Sequence, residues 1–163
     1  MKRITNKLVK LLLNSKLSIA VAESMSCGLV THQLNTVKGT SEVLKGSIVC
    51  YSEEVKKDLF KVPSKLISKY TTESQEVTDS LAKKLKRLIK ADVYAAITGL
   101  AAPGGSECRT KPVGTVFYSL YYKNKLYRER KFFRGTPSEI KKNACKNFYK
   151  FIYDKIVMNN NKM

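Results

Sequence analysis

The order of apolar and polar residues along the chain is typical of an α/β domain. Apolar residues recur on one helical face from Lys2 to Asn14, and a short apolar run at 18–22 predicts an interior strand. Residues 46–51 and 92–98 predict two further strands, and Gly39 with Thr40 predicts a loop. The other predicted elements are a helix beginning near residue 29, a helix at 52–60, a short helix ending near residue 70, a helix starting near residue 74 and a last helix starting near residue 138.

Two strand patterns late in the chain predict a β-hairpin. They cover 113–122 and 126–133 and flank residues 123–125. Because helices alternate with the early strands and the hairpin comes late, we expect a three-layer α/β sandwich, a mixed β-sheet with helices on both faces. No repeat or long linker divides the chain. We therefore expect one domain over residues 1–157, followed by a frayed tail at 158–163.

Composition and charge indicate which classes of protein this chain can belong to. Apolar residues make up 43% and charged residues 27%, as in folded globular domains. The 31 basic residues exceed the 13 acidic ones, which raises nucleic acid as a partner. The lysines are spread over every segment, however, and no basic arm or helix-turn-helix pattern is present, so we do not expect nucleic-acid binding. No apolar stretch reaches the roughly 20 residues of a membrane span, and the run at 11–13 is too short for a secretory signal.

The cysteines and the single histidine do not form a metal-binding pattern. Cys27, Cys50, Cys108 and Cys145 are far apart in sequence, and His32 has no partner at zinc-site spacing. We therefore expect no metal and no cofactor. Scattered thiols also indicate a reducing cytoplasm.

Three loops carry small and polar residues directly after predicted strands, where open α/β sheets bind ligands. In the first loop, Ser24 stands where a strand turns into a helix. The amides and dipole of that helix would favour an oxyanion or a phosphate, which fits a nucleophilic serine. Ser24 or Ser26 as a simple helix cap fits the same pattern. Position alone leaves both interpretations open.

The other two loops are equally open to two interpretations. Tyr51 ends a predicted strand, and Lys56 lies one turn into the next helix. As a base for Ser24, Lys56 would need its pKa lowered by about three units from about 10.4, through burial or a nearby cation; otherwise it is a surface charge. The third loop, 99–114, combines glycines with Lys111, which suits either a phosphate contact or a flexible connection. It matches neither the dinucleotide fingerprint nor the P-loop.

Taken together, in this order and spacing, the loops resemble the carboxy-terminal domain of the CinA (competence/damage-inducible protein) family. Residues 22–28 resemble the family's Ala-Glu-Ser-Cys-Thr-Gly-Gly segment, and residues 51–56 its Tyr-Ser-Asn-x-x-Lys segment. Residues 99–105 resemble its Gly-Ile-Ala-Gly-Pro-x-Gly loop, which closes with Lys-Pro-Val-Gly-Thr at 111–115. The resemblance runs from about residue 18 to residue 152.

The resemblance implies a metal-independent serine amidohydrolase that converts nicotinamide mononucleotide to nicotinic acid mononucleotide and ammonia. It implies Ser24 as the nucleophile, Lys56 as its base and Tyr51 as a residue that lines or orients the pair, with helix N-terminal amides holding the oxyanion. It also implies a homo-oligomer, with a dimer favoured. The implied substrate-binding residues are Ser26, Gly28, Ser41, Gly99, Ala101 and Lys111.

The chain departs from the family motifs at several positions. Pro137 stands where the family's late Gly-Asp-Arg segment has its arginine, and Lys141 or Arg134 could replace the charge but not the bidentate geometry. Glu53 would favour the protonated form of Lys56. The departures motivate a second hypothesis, a non-catalytic member that binds a nucleotide or a protein partner. The other substituted positions are Met25, Cys27 and Ala102.

Overall fold

The computed structural model describes residues 2–160, which form one mixed sheet of five strands and seven helices. The strands are β1 (Ile19–Glu23), β2 (Leu44–Val49), β3 (Val93–Gly99), β4 (Thr115–Tyr122) and β5 (Lys125–Phe132). The helices are α1 (Lys2–Asn14), α2 (Leu29–Asn35), α3 (Thr40–Val43), α4 (Glu53–Asp58), α5 (Ser64–Tyr70), α6 (Gln75–Leu85) and α7 (Pro137–Asn160).

The strand order is β2-β1-β3-β4-β5, and the sheet is mixed as predicted. β1 pairs in parallel with β2 and with β3, while β4 pairs antiparallel with β3 and with β5. The predicted late hairpin is therefore confirmed as β4 and β5. Because β1, β2 and β3 run in the same direction, their carboxyl ends lie at the same end of the sheet. The three polar loops leave from that end.

Helices cover both faces of the sheet and enclose two apolar cores. On one face, α1, α2 and α7 pack against β1, β3 and β4, with Leu8, Leu12 and Phe148 fully buried. On the other face, α6 places Leu81 and Leu85 against the small side chains of β1 and β3. This confirms the three-layer α/β sandwich expected from the sequence. Within residues 2–160, no helix is both long and apolar enough to cross a membrane.

β5 lies at one edge of the sheet and is the strand with the most charge. Its side chains alternate between partly buried and exposed positions. Its basic residues are Lys125, Arg128, Arg130 and Lys131. Arg128 Nε donates to the Asp79 carboxylate at 2.5 Å, which ties this edge to α6.

Two of the sequence predictions were wrong in detail. The loop predicted at Gly39 and Thr40 ends at Gly39, and a short helix, α3, begins at Thr40, whose hydroxyl donates to the Leu34 and Val37 carbonyls. The frayed tail was also wrong for residues 158–160, since α7 continues to Asn160. Asn159 is buried, and Tyr127 donates a hydrogen bond of 2.7 Å to its side chain. Residues 161–163 of the predicted tail lie outside the described residues.

Candidate active site

A pocket of about 300 Å³ opens at the carboxyl ends of β1 and β3, and Ser24 lies in its wall. Tyr51 and the segment Gly99–Gly105 line other sides, so the structure brings together residues from all three predicted loops. Ser24 is 5% exposed, and its hydroxyl forms no hydrogen bond with any of residues 2–160. The hydroxyl is therefore available to a ligand in the pocket.

The turn that carries Ser24 has two consecutive residues with left-handed backbone. The Ser24 amide donates to Ile97 at the end of β3, and Cys27 has a φ of 51° and Gly28 a φ of 90°. These two residues reverse the chain from the strand into α2. Cys27 is exposed and does not line the pocket.

Glu23, the last residue of β1, is fully buried and binds the start of α2. Its carboxylate lies against the positive end of the helix dipole, an arrangement that stabilises both. The donors to Oε2 are Ser26 Oγ at 2.7 Å, Gly28 N at 3.0 Å and Val30 N at 3.1 Å. Those to Oε1 are Thr31 N at 2.8 Å, Thr31 Oγ1 at 2.5 Å and, from β2, Ser47 Oγ at 3.4 Å.

This arrangement corrects the expectation that amides of the helix N-terminus hold an oxyanion, because Glu23 already occupies them. The amides of Met25 and Ser26, immediately after Ser24, instead form no hydrogen bond within residues 2–160. An N–H directly after a nucleophile is a common oxyanion donor. The role of Glu23 was not predicted from the sequence, although a carboxylate at the end of an apolar strand indicates that it needs buried donors.

Lys56 is buried in a cage of backbone carbonyls beside the Ser24 turn. It is 1% exposed, and Nζ donates to Cys50 O at 2.7 Å, Tyr51 O at 3.0 Å and Ser52 O at 3.5 Å. In a regular parallel ladder the Cys50 carbonyl would accept from the Met25 amide, so Lys56 replaces the next β1–β2 hydrogen bond. Nζ therefore lies next to the strand end that carries Ser24, but it forms no hydrogen bond with the Ser24 hydroxyl.

Burial lowers the pKa of Lys56 below its ordinary value, and nearby charges oppose the shift less strongly. This is the direction that a catalytic base requires. Glu53, which was expected to keep Lys56 protonated, forms its ion pair with the partly buried Lys57 instead. Its remaining effect on the pKa of Lys56 is smaller than that of burial.

Two of the six predicted substrate-binding residues lie in the wall of the Ser24 pocket, and the other four do not. These two are Gly99 and Ala101. Ser26 and Gly28 donate to Glu23 and so position the turn. The structure does not bring Ser41 to the pocket. Ser41 lies in α3, directly before β2, and so at the amino-terminal end of the parallel strands.

Lys111 binds the segment between α5 and α6 rather than the Ser24 pocket. Nζ donates to Thr71 Oγ1 at 2.5 Å, Ser106 Oγ at 2.6 Å and Glu73 O at 3.0 Å. These bonds hold the loop after β3 against the start of α6. They also place Glu73 in the wall of the Ser24 pocket, a residue that sequence analysis did not identify.

No metal site accompanies the pocket in the part of the chain that the structure describes. Among residues 2–160, no group of three or more His, Cys, Asp or Glu side chains is arranged to hold a metal ion.

Comparison with known proteins places this arrangement in a family. The sequence model of the CinA C-terminal domain matches residues 1–156. The chain belongs to the CinA C-terminal domain family. A CinA-like protein of Prochlorococcus marinus subsp. pastoris is 36% identical to it over 155 residues, which are 91% of this chain and 36% of that protein. A CinA-like protein of Thermotoga neapolitana is 37% identical over 123 residues, which are 76% of this chain and 30% of that protein.

The chain thus spans about a third of the length of these CinA-like relatives. Solved structures share its fold at low identity. A competence-damaged protein (CinA) superfamily protein of Klebsiella pneumoniae has a TM-score of 0.91 at 21% identity, with 96% of this chain and 98% of that chain covered. One from Enterobacter cloacae has a TM-score of 0.89 at 24% identity, covering 94% and 90%.

The departures from the CinA motifs fall on and around the pocket. Ala102 and Pro137 line it, and so does Lys141, one turn after Pro137 in α7. Lys141 therefore puts a cation on the wall that contains Pro137 in place of the family's arginine. Met25 also lines the pocket, with its side chain 4% exposed.

Proposed function

We propose that this CinA C-terminal domain is a nicotinamide-nucleotide amidase that uses Ser24 as its nucleophile. It hydrolyses the carboxamide of nicotinamide mononucleotide to nicotinic acid mononucleotide and ammonia. The observation that carries the proposal is the Ser24 hydroxyl in a pocket, next to the amides of Met25 and Ser26, since none of these groups forms a hydrogen bond within residues 2–160. A pocket of about 300 Å³ is at the small end of the range for small-molecule sites.

The reaction takes two steps and needs no group beyond the chain and water. The Ser24 oxygen attacks the carboxamide carbon, and the amides of Met25 and Ser26 hold the oxyanion. The proton of Ser24 passes through Lys56 to the amide nitrogen, the C–N bond breaks and ammonia leaves. Water then attacks the ester carbon and the bond to Ser24 breaks. One proton of the water returns to the serine oxygen, the other is released to solvent, and the carboxylate is formed.

Lys56 must loosen its carbonyl cage to act as the base in this reaction. Its longest contact, 3.5 Å to the Ser52 carbonyl, is the weakest and the first to be given up. Two features support the role: burial lowers the pKa of Lys56, and Nζ lies beside the end of β1. Tyr51 supplies a carbonyl to the cage and lines the pocket, so it connects Lys56 with the bound substrate.

Ammonia release from nicotinamide mononucleotide by the purified protein tests the proposal. Ser24→Ala and Lys56→Met are expected to lower kcat by at least a factor of about 100, since each removes a group that acts on the reacting atoms. The matched controls Ser80→Ala and Lys57→Met change the same residue types outside the pocket and should keep the activity. No release above an enzyme-free blank at high enzyme concentration would overturn the proposal.

A non-catalytic, ligand-binding role is the second candidate. Two observations favour it: every Lys56 contact is to a carbonyl, and Pro137 lines the pocket where the family motif has arginine. In that case nicotinamide mononucleotide or its acid product would raise the melting temperature, while ammonia release would stay at background. The two measurements together separate the candidates.

The resemblance also leads us to propose a homodimer in the cytoplasm. The four cysteines are all free, which fits a reducing compartment. Size-exclusion chromatography with light scattering should give about twice the chain mass of 18.4 kDa. A single species at the monomer mass would contradict the dimer.

A further inference from the structure

The Ser24 pocket has two side chains of opposite charge in its wall, Glu73 and Lys141. Both are partly buried, and neither forms an ion pair with any of residues 2–160. The ion pairs of the described residues are Lys57–Glu53, Arg128–Asp79, Lys131–Glu129 and Lys150–Asp154.

Two hydroxyl groups hold the Glu73 carboxylate in place, and Lys111 and Lys56 interact with its charge without forming an ion pair. Ser106 Oγ donates to Oε2 at 2.5 Å, and Thr72 Oγ1 donates to Oε1 at 2.5 Å. Lys111 lies nearby, but its Nζ donates to the Glu73 carbonyl and to Ser106 rather than to the carboxylate. Glu73 therefore places a carboxylate in the pocket wall that has no ion-pair partner within residues 2–160, and it would attract a cation bound there.

Lys141 provides the opposite charge. It follows Pro137 by four residues in α7, so the two lie on the same face of the helix, and both line the pocket. Its ammonium donates no hydrogen bond to residues 2–160. An ammonium on a flexible stem suits an anionic group such as phosphate without demanding one geometry.

We propose that the pocket selects a zwitterionic ligand, with a cationic heteroaromatic ring beside Glu73 and an anionic group beside Lys141. The inference rests on the proposed function for the identity of that ligand: nicotinamide mononucleotide carries a pyridinium ring and a phosphate. Hydrolysis adds a carboxylate to the ring, close to Glu73. The acid product is therefore bound more weakly than the amide, which promotes its release.

Calorimetric titration of Ser24→Ala protein tests the inference, because ligands bind to it without turnover. The probes are nicotinamide mononucleotide, its dihydro form with an uncharged ring, and the acid product. Oxidised nucleotide should bind about tenfold more tightly than the dihydro form, the size of effect expected from one nearby charge in a half-exposed site. Adding Glu73→Gln should remove most of that preference and should tighten binding of the acid product relative to the amide.

Glu76→Gln is the matched control, since Glu76 is an exposed acid near the start of α6 that does not line this pocket. It should leave the preference unchanged. In a second experiment, Lys141→Met should weaken the binding of nicotinamide mononucleotide about tenfold. Binding of the riboside, which lacks the phosphate, should be unaffected.

The outcomes separate this inference from the proposed activity. If ammonia is released but Glu73→Gln leaves the ring preference unchanged, the inference fails and the amidase stands. If no ammonia is released but the preference appears and Glu73→Gln removes it, the binding inference stands and the amidase fails. If neither form of the nucleotide binds, the inference is wrong.

Discussion

Cys27 occupies a backbone conformation that suits glycine. Its φ of 51° lies in the left-handed region, where a side chain costs about 1–2 kcal/mol. Cys27→Gly should therefore raise the free energy of unfolding by up to about 1 kcal/mol, after the greater entropy of glycine in the unfolded chain is subtracted. Urea denaturation measures the change. Cys27→Ala is the control: it keeps a Cβ, so it should give no such gain, and an equal gain in both variants would contradict the explanation.

Lys56 gives the proposed reaction a definite pH dependence. A base acts in its neutral form, and burial lowers the pKa of Lys56 below its ordinary value. As the pH rises, kcat/KM should therefore increase and then level off at a pH below the ordinary lysine value of about 10.4. Burial raises the pKa of the neighbouring Cys50 to about 11, so that thiol stays neutral over the same range.

The profile is measured as kcat/KM in buffers from about pH 6 to about pH 10, with circular dichroism at each pH to confirm that the fold is intact. A kcat/KM that falls steadily across this range would rule out Lys56 as the base. If kcat/KM of the Lys56→Met variant rises with pH in the same way as that of the unmodified protein, Lys56 is not the base either.

At the scale of secondary-structure elements, Glu23 joins β1 to α2. The variant Glu23→Gln keeps the shape of the side chain but removes the charge and turns an NH₂ group toward N–H donors. We expect it to lower the free energy of unfolding by about 3 kcal/mol, because buried donors lose a charged acceptor. Urea denaturation of the variant measures this loss.

Glu42→Gln provides the comparison, since Glu42 is an exposed acid in the short helix α3 and should change stability little. A loss in Glu23→Gln no larger than in Glu42→Gln would show that the carboxylate does not hold α2.

The hydrophobic pattern was sufficient to predict the main helices and strands and the end of the sheet where the pocket lies. Parallel strands put their carboxyl ends together, so Ser24, Tyr51 and Gly99 could be placed near one another from sequence alone. Contacts between side chains and distant backbone could not be predicted. The sequence contains no signal that Lys111 would bind the α5–α6 segment, because that contact depends on how a long loop folds back.

Short helices and buried polar groups were also beyond the reach of the pattern. The four residues of α3 are too few to show a helical period. Asp79 lies on the buried side of α6 and accepts from Gln75 at 3.1 Å, Ser119 at 2.6 Å and Arg128 at 2.5 Å. A charged residue in a helix is predicted to be exposed unless the groups that bind it are known. For Asp79 these groups lie on α6, β4 and β5, which the sequence does not show to be close together.

For the whole molecule, the formal charge of +18 is the main electrostatic feature. Like charges spread over one small domain repel one another, and salt screens that repulsion. Raising NaCl from about 0.02 M to about 0.3 M should therefore increase the free energy of unfolding by about 1 kcal/mol. Urea is the right denaturant because it is uncharged, and KCl should have the same effect as NaCl. A loss of stability over this range would contradict the prediction.

The position of β5 has a consequence for how copies of this chain behave at high concentration. An edge strand has unpaired backbone groups on its outer side, which a second strand can join. β5 carries four basic residues, so a second copy of the same strand would be repelled as it approached. At this edge, the charge acts as protection against strand-to-strand aggregation.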